Sequence, residues 1–333
     1  MSKPLVSIIM PAYNAERYIS EAIKSIIQQI YTNWELIIIE DCSTDKTYDE
    51  IMKHTDNRIT VIRNQENKGI AYSTNIGLDR SKGKYIALLD DDDLALNNRL
   101  EVQVQYLERN KEIDVLGSRS IEVDENNELL TYCDIPKKNP KYIKAHLLFD
   151  MVNFTNSSLM IRRSLIERNN IRIHDNCYGI QDFCFYIDCS KVGNLTALEQ
   201  PLIKHRIYAT STTKKMLRQK AQAREKIYAQ TQKESMISSG FRLTDEEYSI
   251  INRVVNEQKV QRVDLTSLQN TMKHILEQAK SMNIDYYDEL YIVCKKIFLK
   301  AVYHQDVFNL EINNERCRLE KNGHFIEYYH SGI

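Results

Sequence analysis

The chain has 333 residues, and its 45 lysines and arginines against 46 aspartates and glutamates leave a formal charge of −1. Such a balance gives no bulk attraction to a polyanion, which excludes nucleic-acid binding driven by net charge. A content of 42% hydrophobic and 27% charged residues belongs to a chain that buries a core, and the length suits about two domains of roughly 150 residues each.

No apolar run approaches the ~18 residues of a bilayer span; the longest are stretches such as Leu36 to Ile39 and Tyr85 to Leu89. Residues Met1 to Ile9 pass straight into a strand-like pattern with no export signal, which predicts a cytoplasmic chain. Seven cysteines (Cys42, Cys133, Cys177, Cys184, Cys189, Cys294 and Cys317) include no C-x-x-C pair. That pattern predicts reduced thiols rather than a disulfide framework or a zinc site.

Taken in order, Leu5 to Met10 reads as strand, Glu16 to Gln29 as helix and Glu35 to Glu40 as strand. The first helix rests on Ile19, Ala22, Ile23, Ile26, Ile27 and Ile30, spaced to share one face. Asp45 to Lys53 follows as helix, Ile59 to Arg63 as strand, Ala71 to Ser81 as helix, and Tyr85 to Leu89 as a strand running into four aspartates. Strand and helix in alternation predict βαβ units and a mainly parallel sheet flanked by helices, an α/β fold. Val115 to Val123 and Glu128 to Cys133 flank Asp124-Glu125-Asn126-Asn127 as a hairpin, and Ser157 to Ile161 and Leu195 to Ile207 are further strands.

All five prolines and six of the nine glycines precede residue 202, a shift in turn-forming residues that marks a boundary near 208 to 215. The prediction is one domain over residues 1–212 and a helical one over 213–333, with helices at Met216 to Met236, Glu246 to Asn256, Leu265 to Met282 and Tyr286 to Tyr303. The tail opens with Lys214, Lys215, Arg218, Lys220, Arg224 and Lys226. Such a stretch is either the solvated face of a helix or a docking surface for anionic lipid at the inner face of the membrane.

In a parallel sheet, ligands bind beyond the carboxyl ends of the strands. Pro11-Ala12-Tyr13-Asn14 follows the first strand, Glu40 to Asp45 the second and Asp90 to Asp93 the fourth, so the three clusters should meet at one crevice. Ser43, Thr44 and Asp45 have an alternative use as caps of the next helix, and Tyr13 as a packing residue. Four successive carboxylates are costly unless a cation compensates them, and all-oxygen ligands suit Mg²⁺ or Mn²⁺.

The segments Val6 to Asn14, Glu40 to Asp45, Asn67-Lys68-Gly69 with Asn75, and Tyr85 to Asp93 together resemble family 2 of the inverting glycosyltransferases, with its GT-A fold. The likeness covers roughly residues 4–210. It implies transfer of a sugar from a nucleotide diphosphate sugar, usually a uridine diphosphate sugar, with Mg²⁺ or Mn²⁺ on the diphosphate. By this resemblance Pro11, Ala12, Tyr13, Asn14 and Asn75 belong to the donor site, with Tyr13 against the base. Asp41 would take the uracil N–H, Asp90 or Asp91 the ribose, and Asp92 the metal. The family's acidic pair opening a helix matches Gln181-Asp182, making Asp182 the general base with Gln181 in place of the usual Glu. Arg206 would pair with diphosphate oxygens, Tyr208 stands where members often have a His, and His205 reads as structural.

The same roles follow from the chemistry. Expelling a nucleoside diphosphate requires a cation for the charge growing on the leaving group, and a base on the opposite face for the acceptor's proton. The aspartate tract and the separate Asp182, set among Phe183, Phe185 and Tyr186, supply them. Asp182 also reads as a helix cap. The acceptor implied is a glycan or a lipid-linked saccharide of bacterial surface-polysaccharide assembly. Two rival classes are a sugar nucleotidyltransferase, whose glycine-rich opening loop is absent from Pro11 to Arg17, and a catalytically silent carbohydrate-binding member, which would lack the base.

Overall fold

The computed structural model describes residues 3–133, 138–152, 154–209, 211, 221–255, 263–303, 310–313, 316–321 and 324–328. They divide into two units: Met1–Ile143 with Val152–Tyr228, and Lys144–Met151 with Ala229–Ile333.

The first unit opens with β1 (Val6–Ala12), α1 (Ile19–Ile27), β2 (Trp34–Glu40), α2 (Thr47–Met52), β3 (Ile59–Arg63), α3 (Ile70–Arg80) and β4 (Tyr85–Leu88). Then come β5 (Leu94–Ala95), α4 (Arg99–Arg109), β6 (Val115–Val123), β7 (Leu129–Tyr132), α5 (Pro140–Leu147), β8 (Met160–Arg162), α6 (Arg163–Asn169), α7 (Gln181–Val192) and β9 (Leu195–Arg206). Nine strands form one sheet in the order β3-β2-β1-β4-β8-β6-β9-β5, with β7 paired to β6. β3, β2, β1 and β4 are mutually parallel, as the alternating pattern predicts. β8 then runs antiparallel between β4 and β6, so the far half of the sheet is mixed.

The continuous apolar runs of β1 and β2 reflect cover on both faces: Val6, Ile8, Ile9 and Met10 are buried, as are Leu36 to Ile39. α1 buries Ile19, Ala22, Ile23 and Ile26 as expected, but it ends at Ile27, so Ile30 lies beyond the helix and is exposed. Because β1, β2 and β4 point the same way in register, Ala12, Glu40 and Leu88 end at one edge of the sheet. The predicted hairpin is present, with Asn127 at φ 72° in the turn.

The rest of the chain continues with α8 (Ala221–Ser238), α9 (Asp245–Val255), α10 (Leu265–Ser281) and α11 (Tyr287–Tyr303). These match the four predicted helices, and α9 and α10 bury Ile250, Ile251, Val254, Leu268, Met272 and Ile275. A correction lies at the end of the chain: β10 (Leu310–Asn313), β11 (Arg316–Lys321) and β12 (His324–Tyr328) form an antiparallel sheet. Each strand has only four to six residues, too few for alternation to stand out beside long helical patterns. Among the described residues no helix is long and apolar enough to cross a membrane. Lys214, Lys215, Arg218 and Lys220 lie outside the described residues.

Gly83, in the turn leading into β4, shows how closely the strands of the site are packed. A β-carbon there would stand 2.6 Å from the Ser7 backbone nitrogen and 2.7 Å from the Leu5 carbonyl oxygen, while Lys82 and Gly83 both donate N–H bonds to the Ser7 hydroxyl. Backbone atoms cannot rotate away as a side chain can. Gly83→Ala should therefore cost about 1–3 kcal/mol by overpacking, read as a lower urea midpoint; an unchanged midpoint would contradict this packing.

Candidate active site

The three strand-end clusters meet, as the parallel order requires. The Asp41 N–H donates to the Ala12 carbonyl, closing the end of β2 onto the end of β1. Asn14, at φ 52°, donates its N–H to the Ser43 hydroxyl and accepts both the N–H and the hydroxyl of Thr44 on its side-chain oxygen. The Tyr13 N–H donates to Asp91 Oδ2 at 2.9 Å, joining the first loop to the aspartate tract, and the Tyr13 ring is 44% exposed, open to a flat ligand. Pro11 and the buried Ala12 form the strand edge beneath it. Asp45 accepts the Thr47 N–H at 2.9 Å, as a helix-start acceptor should.

Asp41 is buried and receives three donors: Asn64 Nδ2 at 2.6 Å and the N–H groups of Lys68 at 3.0 Å and Gly69 at 2.7 Å. Gly69 holds φ +88° immediately before α3, a conformation that suits glycine and lets two successive amides face one carboxylate. Asn75 uses both ends of its amide on the backbone of Ile173, at 2.9 Å each way, so it anchors the segment before α7. The sequence reading had set it in the donor site.

The four aspartates diverge. Asp90 donates its N–H to the Ser157 hydroxyl and accepts from Asn156 Nδ2 at 3.1 Å. Asp91 faces Tyr13, and Asp92 Oδ2 accepts the Tyr208 hydroxyl at 2.8 Å. Asp93 turns inward, fully buried, and accepts the Arg206 N–H at 2.9 Å with His205 Nδ1 at 3.1 Å. Arg206 differs from expectation. It is buried, with Nε on the Asp92 carbonyl, Nη1 on the Glu125 carbonyl, Nη2 on the Glu21 carboxylate and its guanidinium over the Tyr18 ring. The predicted diphosphate partner is thus given protein partners, since a strand-end arginine on the inner face of β9 meets carbonyls before it meets solvent.

Sequence reasoning missed Arg99. It is fully buried beneath the tract, with Nη2 on the carbonyls of Leu88 and Leu159 and Nε on Gln103. The only signal was a charge in step with the apolar face of Leu100, Val104 and Leu107. Glu40, also fully buried, accepts the Ser43 N–H and Arg63 Nε.

Burial first, and then Asp93, pushes the Asp90 carboxyl up to about 6; burial, then Asp93 and Asp90, pushes Asp92 up to about 7. Burial and Asp92 hold Asp91 well above the ordinary range as well. The tract therefore resists full ionisation on its own, the condition a divalent cation relieves. Among the described residues no set of three His, Cys, Asp or Glu side chains is arranged to hold a metal. The carboxylate oxygens of the tract are donors of the kind Mg²⁺ or Mn²⁺ takes, without a closed protein cage among the described residues.

Asp182 sits in the first turn of α7, half-buried, with Oδ1 accepting the Phe183 N–H at 2.8 Å. Burial raises its pKa, against the opposing pull of Arg224. Tyr186, one turn along, is held up by burial first and then by Asp182 and Asp90. Gln181 Oε1 accepts the Gly179 N–H, so the residue in the acidic position closes a turn. The cysteine expectation is corrected here: Cys177 and Cys184 form a disulfide across the entry to α7, because the turn brings positions seven apart to the same helix end. Among the described residues Cys42, Cys189 and Cys294 are free thiols.

The fold is that of the GT-A glycosyltransferases. S. aureus TarS residues 1–349, solved in complex with UDP-GlcNAc, superposes with a TM-score of 0.60 over 98% of this chain and 99% of that one, at 15% identity. The profile of glycosyl transferase family 2 matches residues 7–169. An uncharacterized glycosyltransferase of Haemophilus influenzae is 32% identical over 322 residues, 93% of this chain and 94% of the relative. The Escherichia coli enzyme WfgD, a UDP-Glc:alpha-D-GlcNAc-diphosphoundecaprenol beta-1,3-glucosyltransferase, is 38% identical over 138 residues, 41% of this chain and 54% of that protein. The chain belongs to glycosyl transferase family 2.

The shifted groups give a pH dependence of stability whose sign can be worked out. Asp90 and Asp92, raised from 3.8, hold protons that the unfolded chain releases, so their penalty appears above pH 3.8 and grows through about 7. For His205, burial lowers the pKa, but Asp93, aided by Asp90 and Asp92, outweighs it and lifts it to about 9. Its contribution is complete below 6.5 and lost as pH rises through about 9. His54, lowered by burial, has the opposite sign but is a single group. In the presence of a chelator, the melting temperature should fall as pH rises over the window these groups span, about 5 to 9; a flat or rising profile would contradict it.

Proposed function

We propose that this chain is an inverting transferase that moves a sugar from a uridine diphosphate sugar to a hydroxyl of a glycan or lipid-linked acceptor in cell-surface polysaccharide synthesis. The observation that carries the reading is the arrangement of carboxylates: three joined strand-end clusters at one crevice, and a separate Asp182 at the start of α7 whose pKa burial raises. The names of WfgD and the TarS complex, both with uridine diphosphate sugars, support the donor class, and the diphosphoundecaprenol in the former supports the acceptor class.

In this reading the exposed Tyr13 ring stacks on the base while Pro11, Ala12 and Asn14 shape the edge of its pocket. Asp41 orients the Lys68 and Gly69 amides and is the acceptor for a ring N–H. Asp90 or Asp91 holds the ribose, Asn75 braces the segment before α7 beside the donor, and Arg206, which also orients the Asp92 carbonyl and the Asp93 branch of the tract, pairs with diphosphate oxygens. Asp92 would hold Mg²⁺ or Mn²⁺, which supplies positive charge to the leaving diphosphate when bound. Asp182 takes the proton of the acceptor hydroxyl as oxygen attacks the anomeric carbon opposite the diphosphate, and a pKa raised by burial makes it a stronger base than an ordinary carboxylate. Residues 1–212 carry the donor site. Work at the inner face of the membrane follows from the lipid-linked acceptor class and the basic residues that open the tail.

Two substitutions separate the roles. Asp92→Asn should weaken Mn²⁺-dependent UDP binding by about tenfold or more while the melting temperature holds or rises, because one repelling charge leaves the cluster. Equal Mn²⁺-dependent affinity in both proteins would remove Asp92 from metal binding. Asp182→Asn should leave UDP affinity intact and lower turnover by about 10²-fold or more, the usual worth of a general base. An equal loss of affinity and rate would mark Asp182 as a binding residue.

A further inference from the structure

The first two turns of α8, though they begin the helical tail, pack within the first unit, which extends to Tyr228. There Arg224 Nε donates to the Gly179 carbonyl at 3.1 Å, and the Tyr228 ring stacks on Phe183 with centroids 4.9 Å apart and an interplanar angle of 15°. Both contacts fall on the turn that delivers Asp182: Gly179 is three residues before it and Phe183 is next to it. That turn is closed from within by the Cys177–Cys184 disulfide, the Ile180 N–H to Cys177 carbonyl bond at 2.8 Å and the Gly179 N–H on Gln181. Gly179 itself sits at φ +84°, a conformation a side-chain-bearing residue resists. Arg224 adds to this turn a hydrogen bond from another element, α8.

We propose that Arg224 is a positioning residue for Asp182, holding the Cys177–Gln181 turn in place and setting a fixed cation beside the base. This rests on the reading of Asp182 as the general base. The donor site then lies in residues 1–212, while the reacting geometry on the acceptor side is completed by the start of α8. Arg224 lowers the pKa that burial raises at Asp182, and Tyr186, the other titratable group facing it, stays neutral because burial and the same carboxylate hold its phenol up. Removing the cation therefore shifts the deprotonation of Asp182 to higher pH.

The test uses the full chain with Arg224→Gln, Arg224→Lys and Asp182→Asn. It measures Mn²⁺-dependent UDP affinity, release of UDP from UDP-glucose and UDP-N-acetylglucosamine across pH, and amide exchange over residues 177–184. For Arg224→Gln we expect UDP affinity within about twofold of wild type, turnover lower by about ten- to a hundredfold, an acid limb of the rate profile moved to higher pH, and faster exchange in the turn. Arg224→Lys, keeping charge without the planar fork, should recover the position of the acid limb more fully than the exchange rate. Wild-type turnover and exchange in Arg224→Gln would overturn the proposal. So would a rate loss with an unmoved acid limb, which marks a merely structural arginine. If neither donor turns over, unchanged exchange in Arg224→Gln overturns it and faster exchange supports it. Wild-type turnover in Asp182→Asn would instead defeat the reading of the base, and the proposal with it.

Discussion

Four consecutive carboxylates at the end of an apolar strand repel one another, and much of the first unit is arranged to keep them apart and partly compensated. Asp93 is drawn inward to the Arg206 amide and His205, Asp92 outward to Tyr208, Asp91 sideways to the Tyr13 amide and Asp90 to Asn156. Beneath them Arg99 is buried without a direct carboxylate bond, and burial lowers its pKa to about 9 against the pull of Asp93 and Asp90. A buried arginine bonded only to neutral oxygens is costly; here its charge is drawn by Asp93 and Asp90 of the tract.

This separates two kinds of carboxylate in one site. The tract is kept short of full ionisation first by burial and then by its own members, so its state depends on what binds there. Asp182 is raised by burial and held back by the Phe183 N–H and by Arg224, so its state depends on the turn that carries it. Burial and mutual repulsion raise a pKa in either case, but only the former leaves an isolated group suited to accepting a single proton.

The parallel half of the fold was legible because its determinants are local: β-branched runs buried on both faces, helices with one apolar stripe, and polar residues where strands stop. Parallel order then forces Asn14, Ser43 and Asp91 together without any long-range information. The other half was not legible in the same way. Nothing near Arg206 shows that Glu21, Glu125 and the Asp92 carbonyl will surround it, since those partners come from three distant segments. Asn75 likewise finds Ile173 98 residues away. The Cys177–Cys184 pairing depends on the turn at Gly179, and the short strands of the tail carry too few residues to declare themselves. The donor-site roles of Asn75 and Arg206 come from resemblance, and the contacts the structure adds for both are with protein groups.

The central claim is a single displacement at the anomeric carbon, with attack opposite the diphosphate. Proton NMR of the sugar first released by the full chain from an α-linked UDP-sugar with Mn²⁺, read before mutarotation, tests it directly. Inversion predicts the β-anomer as the initial product, relaxing later to the equilibrium mixture. An α-anomer appearing first would require two displacements or attack from the leaving-group side, and would contradict the account.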